Sequence, residues 1–160
     1  MKVNISKSGN REQFRRFKRK RKESGSALSE MAPGLFLLIF FGLFLVANVI
    51  ALGYNYYSLV NLNDLQIREA AKLPKSQATD PKGPVHKLIP EQWKGAAIGA
   101  ISAVPVQPTT VITYYPGPGG VYVNVTTRAT ISPLVTVPVM PGVPGMGAPA
   151  TLQVTSQKLL

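Results

Sequence analysis

The sequence predicts an α+β protein. It has a long N-terminal transmembrane helix with an amphipathic extension, followed by a small outer domain of one short helix and about four antiparallel strands. Three observations lead there. Met31 to Gly53 is an apolar run with no charged residue. Behind it, Leu59, Leu62, Leu65, Ala70 and Leu73 recur at helical intervals until Pro74 supplies a stop. Beyond Val104 the composition turns to Val, Thr, Ile and Tyr punctuated by Pro and Gly, the mark of short strands.

The charge is uneven, and its position tells more than its total of +11. Residues 1–24 carry ten Lys and Arg against Glu12 and Glu23, a net +8, while residues 25–160 carry eight against five, a net +3. Basic charge packed beside an apolar segment is retained on the cytoplasmic side of a membrane. The tail therefore reads as a topology signal, with the N-terminus in and the C-terminus out, better than as a nucleic-acid arm. Its few apolar residues, Phe14 and Phe17 among them, give no core to bury, so residues 1–24 read as a solvated, disordered leader. There is no cysteine, which excludes disulfides and thiol chemistry.

At 1.5 Å per residue the 23 positions from Met31 to Gly53 extend roughly 34 Å, enough for a ~30 Å hydrocarbon layer. The run admits three readings. It is longer than the apolar part of a cleaved secretory signal, although Ala51-Leu52-Gly53 is a tolerable small-x-small site. It fits a plain single-span anchor. It also fits an anchor whose basic leader is removed ahead of the helix, and only this reading uses Gly25 and Glu30. Asn48, the amide within the run, suits either a bond across helices or a place among headgroups.

Arg21-Lys22-Glu23-Ser24-Gly25-Ser26-Ala27-Leu28-Ser29-Glu30, followed by Met31-Ala32-Pro33-Gly34-Leu35, resembles the type IV prepilin signature. More narrowly it is similar to the TadE/TadG-like minor pseudopilins of tight-adherence (type IVc-like, Flp) pili. The resemblance implies cleavage by a prepilin peptidase between Gly25 and Ser26, leaving Glu30 as the fifth mature residue. It implies assembly through the N-terminal helix, the Glu30 carboxylate facing the new amine of a neighbouring subunit. It also implies an inner-membrane location, a periplasmic or extracellular C-terminal domain, other pilins and pseudopilins as partners, and a part in cell adhesion. The chemistry is consistent: glycine leaves the backbone unhindered for a peptidase, and a carboxylate at membrane depth is costly unless paired. In a lone helix Glu30 would simply complement the N-terminal dipole. Ser26 after Gly25, Met31 after Glu30 and a 25-residue leader are the departures from the commonest pattern.

Tyr54, Tyr56 and Tyr57 close the apolar run, and tyrosines at that depth form a membrane-interface belt. From Ser58 the helix continues to Leu73, with the helix formers Arg68-Glu69-Ala70-Ala71-Lys72 near its end. An amphipathic extension needs a cover for its apolar face. Domain boundaries follow: a basic leader at 1–25, the transmembrane and amphipathic helix at 26–73, a linker at 74–84 and the outer domain at 85–160.

In that domain Pro90 to Ala103 reads as one short helix. Pro90 suits its first position, and Trp93, Ala96, Ala97, Ala100 and Ile101 form its apolar face, with Trp93 anchoring it to the sheet. Thr109 to Tyr115 is the first strand, Pro116 to Gly120 its turn, and Val121 to Ile131 the second strand. In the second, Val121, Val123 and Val125 lie on one face and Tyr122, Asn124 and Thr126 on the other. Leu134 to Val139 reads as a short edge strand limited by prolines, and Ala150 to Gln157 as the last. His86 has no companion ligands in sequence and reads as a surface histidine; no metal, cofactor, small-molecule substrate or nucleic acid is indicated, and neither is catalysis. The competing reading is an uncleaved single-pass membrane protein whose outer β-rich domain binds a ligand.

Overall fold

The computed structural model describes residues 9–136 and 140–160, with side chains from Met31 onward. Two compact units result, Met1–Leu43 and Phe44–Leu160. Helix α1, Gly9–Ala70, has 62 residues and carries Pro33 inside it. It begins well upstream of the Ser26 start expected from sequence. The basic stretch from Gly9 onward, read as disordered, is helical here. Its Lys and Arg are good helix formers, and the apolar run downstream has already met the cost of nucleation.

Among its described residues the first unit is helical, and from Met31 to Leu43 most of its apolar side chains are exposed. Leu38 is 71% exposed and Ile39 62%. Phe36 and Phe40 stack with ring centroids 5.8 Å apart. Among the described residues, Met31–Ala70 is the one helical segment long and apolar enough to cross a membrane.

The second unit is built on the C-terminal half of α1, and the order of its elements is helix, short helices, sheet. After Ala70 the chain turns at Leu73-Pro74 into α2, Lys75–Ala78, so the stretch read as a linker holds a helical turn with Ala78 buried. A single π-type turn, Pro84–Leu88, leads into α3, Ile89–Gly95. The helix expected to run to Ala103 breaks at Ala96, which is extended (φ −82°, ψ 159°), and restarts as α4, Ala97–Ile101. The break lets Gly99 lie against the Trp93 carbonyl, an approach a side chain would block. It also rotates the apolar face, so Ile101 is exposed while Trp93 is buried.

Strands β1 (Thr109–Gly117), β2 (Gly120–Ile131) and β3 (Ala150–Leu159) form an antiparallel sheet in the order β1-β2-β3. The β1–β2 hairpin closes at the Gly117↔Gly120 pair. Pro118-Gly119 is its loop, with Gly119 at φ +95°, the pairing a tight turn favours. Val123, Val125, Thr127, Ala129 and Ile131 face inward, and Tyr122, Asn124, Thr126, Arg128 and Thr130 face out. The alternation expected for β2 is therefore present, except that Val121 at its start is exposed.

Among the described residues three strands stand where about four were expected. The segment from Leu134 makes no ladder over residues 132–136, and residues 137–139 lie outside the described residues. Pro133 and Pro138 remove donors a ladder needs. Val135 finds a different partner: the Asn48 side chain donates from Nδ2 to its carbonyl at 2.7 Å and accepts its N–H on Oδ1 at 3.0 Å. One amide group from the helix thus does what a neighbouring strand would have done.

Candidate functional site

Among the described residues no cluster of metal-ligating groups stands out, so the candidate site is the face of α1 that joins the helix to its sheet. Five levels follow one another along it. At Asn48 the helix holds Val135, as described. One level up, Asn55 Oδ1 accepts from Ser102 Oγ (3.0 Å) and from the Ala103 N–H (2.7 Å), while its Nδ2 donates back to Ala51 in the helix. Leu59 and Leu62 then enter an apolar cluster with Trp93, Val104, Ala129, Ile131 and Val154. Trp93 anchors α3 as expected, and its indole N–H donates to Asn61 Oδ1 at 3.1 Å.

Above this cluster lies a polar layer. Asn63 Nδ2 donates to the Val125 carbonyl (3.0 Å) and Thr127 Oγ1 (2.9 Å). Gln66 Nε2 donates to the Val85 carbonyl (2.9 Å) and Thr110 Oγ1 (3.0 Å), and its Oε1 accepts from Thr127 Oγ1 (2.7 Å). Asn63, Gln66 and Thr127 are all fully buried. Beyond them Ile67 and Ala70 meet Ala78, Val85, Val123 and Val125 in a second apolar cluster. Tyr114 flanks it, its hydroxyl donating to the Ala70 carbonyl at 3.3 Å; burial raises its pKa above the ordinary tyrosine value.

The sequence-predicted residues fall in different places. Gly25, Ser26 and Glu30 lie on α1, and their side chains are outside the described residues. Tyr54 is half-buried and donates from its hydroxyl to the Ile98 carbonyl at 3.0 Å, which ties α4 to the helix. Tyr56 and Tyr57 are exposed. Leu65, expected on the apolar face, is 38% exposed; its place is taken by Asn63 and Gln66. Asp64–Arg68 (2.7 Å) and Glu69–Lys72 (3.2 Å) pair on the solvent side, where ion pairs contribute little.

His86, read as a surface residue, is half-buried in the π-type turn, and its Nε2 is buried with no hydrogen-bond partner. Among the described residues no group of three or more metal-ligating side chains gathers around it or elsewhere. Burial lowers its pKa below the ordinary 6.5, and Asp80 opposes the shift. The unfolded chain thus takes up a proton at a higher pH than the folded one. Stability from this residue is present above pH 6.5 and lost as pH falls through 6.5 toward the lower folded value. Urea midpoints between pH 7.5 and 5 should therefore decline on acidification. In His86→Gln that part of the decline should vanish, and an unchanged slope would remove His86 as its source.

Asn48, Asn55, Asn63 and Gln66 are the residues that sequence reading passed over as parts of a docking face. Their spacing of 7, 8 and 3 keeps them on one side of a helix, the signal available in the sequence. Comparison with protein-family models, curated proteins and solved structures gives no match to this chain.

Proposed function

We propose that the chain is a minor pseudopilin, a structural component of a tight-adherence pilus or secretion assembly, cut after Gly25 and assembled through its hydrophobic helix. The observation that supports this best is the bare apolar helix. From Met31 to Ile50 its large side chains are mostly exposed, and the same helix then becomes the central element of a sheet domain. Such a surface demands lipid or other helices. A spike of this kind can leave a bilayer for a bundle of identical spikes without refolding its head, because the head's two apolar clusters draw on Leu59, Leu62, Ile67 and Ala70 of α1. The motif Gly25-Ser26 with Glu30 supplies the processing site and the charge that would register one helix against the next.

The competing reading, an uncleaved anchor bearing a binding domain, is favoured by one feature: α1 is helical through Gly25 and Ser26, which a peptidase must take in extended form. Intact mass of the membrane-extracted protein separates the two. A species starting at Ser26 is expected, and a full-length one would overturn the proposal. Glu30→Ala should insert normally yet enter assemblies about tenfold less, the factor that ~1.4 kcal/mol of lost pairing gives. Equal incorporation of the variant would count against the assembly role of Glu30.

A further inference from the structure

Between Arg128 and Lys158 the chain has no charged residue, and the middle of this stretch is the loop joining β2 to β3. Its described parts, residues 132–136 and 140–149, are held against the early turns of the second unit's helix. Asn48 takes both backbone groups of Val135. Gly145, at φ +80°, lies so close to Leu52 that any side chain there would collide with it. The loop therefore occupies the end of the domain where α1 still shows bare Val46, Val49 and Ile50. At this end Leu134 is 68% exposed and Val143 41%.

Over residues 143–148 the backbone N–H groups find partners within the loop. The Val143 carbonyl accepts from the N–H groups of Met146 (3.1 Å), Gly147 (2.9 Å) and Ala148 (3.0 Å), and Gly145 donates to the Ala148 carbonyl at 2.7 Å. A stretch without charge, with exposed Leu134 and Val143 and with the N–H groups of 143–148 paired, suits the boundary between water and lipid, where unpaired donors are costly. The other end of the domain is different in kind, since Arg68, Lys72, Lys75, Lys82 and Lys158 lie among its residues.

We propose that this loop is a second membrane contact, with Leu134 and Val143 seated in the headgroup–acyl boundary of the bilayer that α1 enters. The inference rests on the reading of α1 as a membrane helix. It extends that reading, because the head would then stand on the lipid surface instead of swinging freely above it. The partner is the lipid surface itself, chosen for its continuity with the exposed apolar residues of α1 beside the loop.

The absence of cysteine makes the test direct. Single variants Leu134→Cys, Val143→Cys, Thr113→Cys and Leu38→Cys of the full chain would each carry an environment-sensitive fluorophore. They would be reconstituted in phosphatidylethanolamine–phosphatidylglycerol vesicles with or without lipid nitroxides placed near the headgroup. Probes at 134 and 143 should emit to the blue of the Thr113 probe and lose roughly half their emission to the nitroxide, as residues at that boundary do. The exposed Thr113 probe should lose little. If the probes at 134 and 143 behave like Thr113 while Leu38 is shielded, the loop proposal fails and the membrane helix stands. If Leu38 is also water-exposed, both readings fail together.

Discussion

Trp93→Ala should cost the folded head about 3–5 kcal/mol, the range for emptying an aromatic site in a packed core. Trp93 is 3% exposed and touches the apolar cluster contributed by α1, β2 and β3 at once. Three elements therefore lose a common neighbour, and small domains have only about 5–15 kcal/mol in total. Urea unfolding of the full chain in detergent, followed by the strand and helix signals of far-ultraviolet circular dichroism, measures the loss. Trp93→Phe keeps most of the apolar volume and gives up the indole bond to Asn61. It should cost about 1–2 kcal/mol. A Trp93→Ala protein within 1 kcal/mol of the parent, roughly the noise of such comparisons, would mean that this cluster does not hold the head together.

Gln66→Leu should be nearly as damaging, at about 2–4 kcal/mol, for a different reason. The apolar replacement leaves the Val85 carbonyl without its donor, takes a donor from Thr110 Oγ1 and leaves the Thr127 hydroxyl proton without an acceptor. A buried group without a partner costs more than the bond it lost was worth. Adding Thr127→Val removes one of those orphans, and Asn63 retains its bond to the Val125 carbonyl. The double variant should therefore be less destabilised than the sum of the singles, by roughly 0.5–3 kcal/mol. Strict additivity in the same urea experiment would show that Gln66 and Thr127 do not act as a pair.

The polar layer also shows where sequence reading reaches its limit. Leu59 and Leu62 were legible as core because aliphatic side chains at helical spacing carry their own signal. The alternation of Val123 and Val125 against Tyr122 and Asn124 was legible by the same logic at period two. Asn63 and Gln66 were not, since an amide counts as surface until the groups that satisfy it are known, and these lie far off in sequence: Val125 and Thr127 in β2, Val85 and Thr110 for the rest of Gln66. Leu65 reads as inside when the face is drawn through aliphatic residues alone, yet it is 38% exposed. The expected fourth strand failed for a related reason. Its valines announce a strand, but a ladder needs a neighbour, and Val135 spends both backbone groups on Asn48. The break at Ala96 had no forecast either: only the packing of Gly99 on Trp93 makes it worthwhile. The processing motif is the reverse case, legible in sequence while its side chains fall outside the described residues.

Because α1 supplies Leu59, Leu62, Ile67 and Ala70 to the two apolar clusters, the sheet has no finished inner surface of its own. Anchor and head are consequently not interchangeable modules. Grafting the strands onto a foreign stalk would leave valines wet and the Thr127 hydroxyl stranded, unless the new stalk reproduced an asparagine and a glutamine three residues apart. A soluble fragment meant to preserve the head has to be severed near Phe44, well inside the greasy run, and not at Gly53, where that run ends.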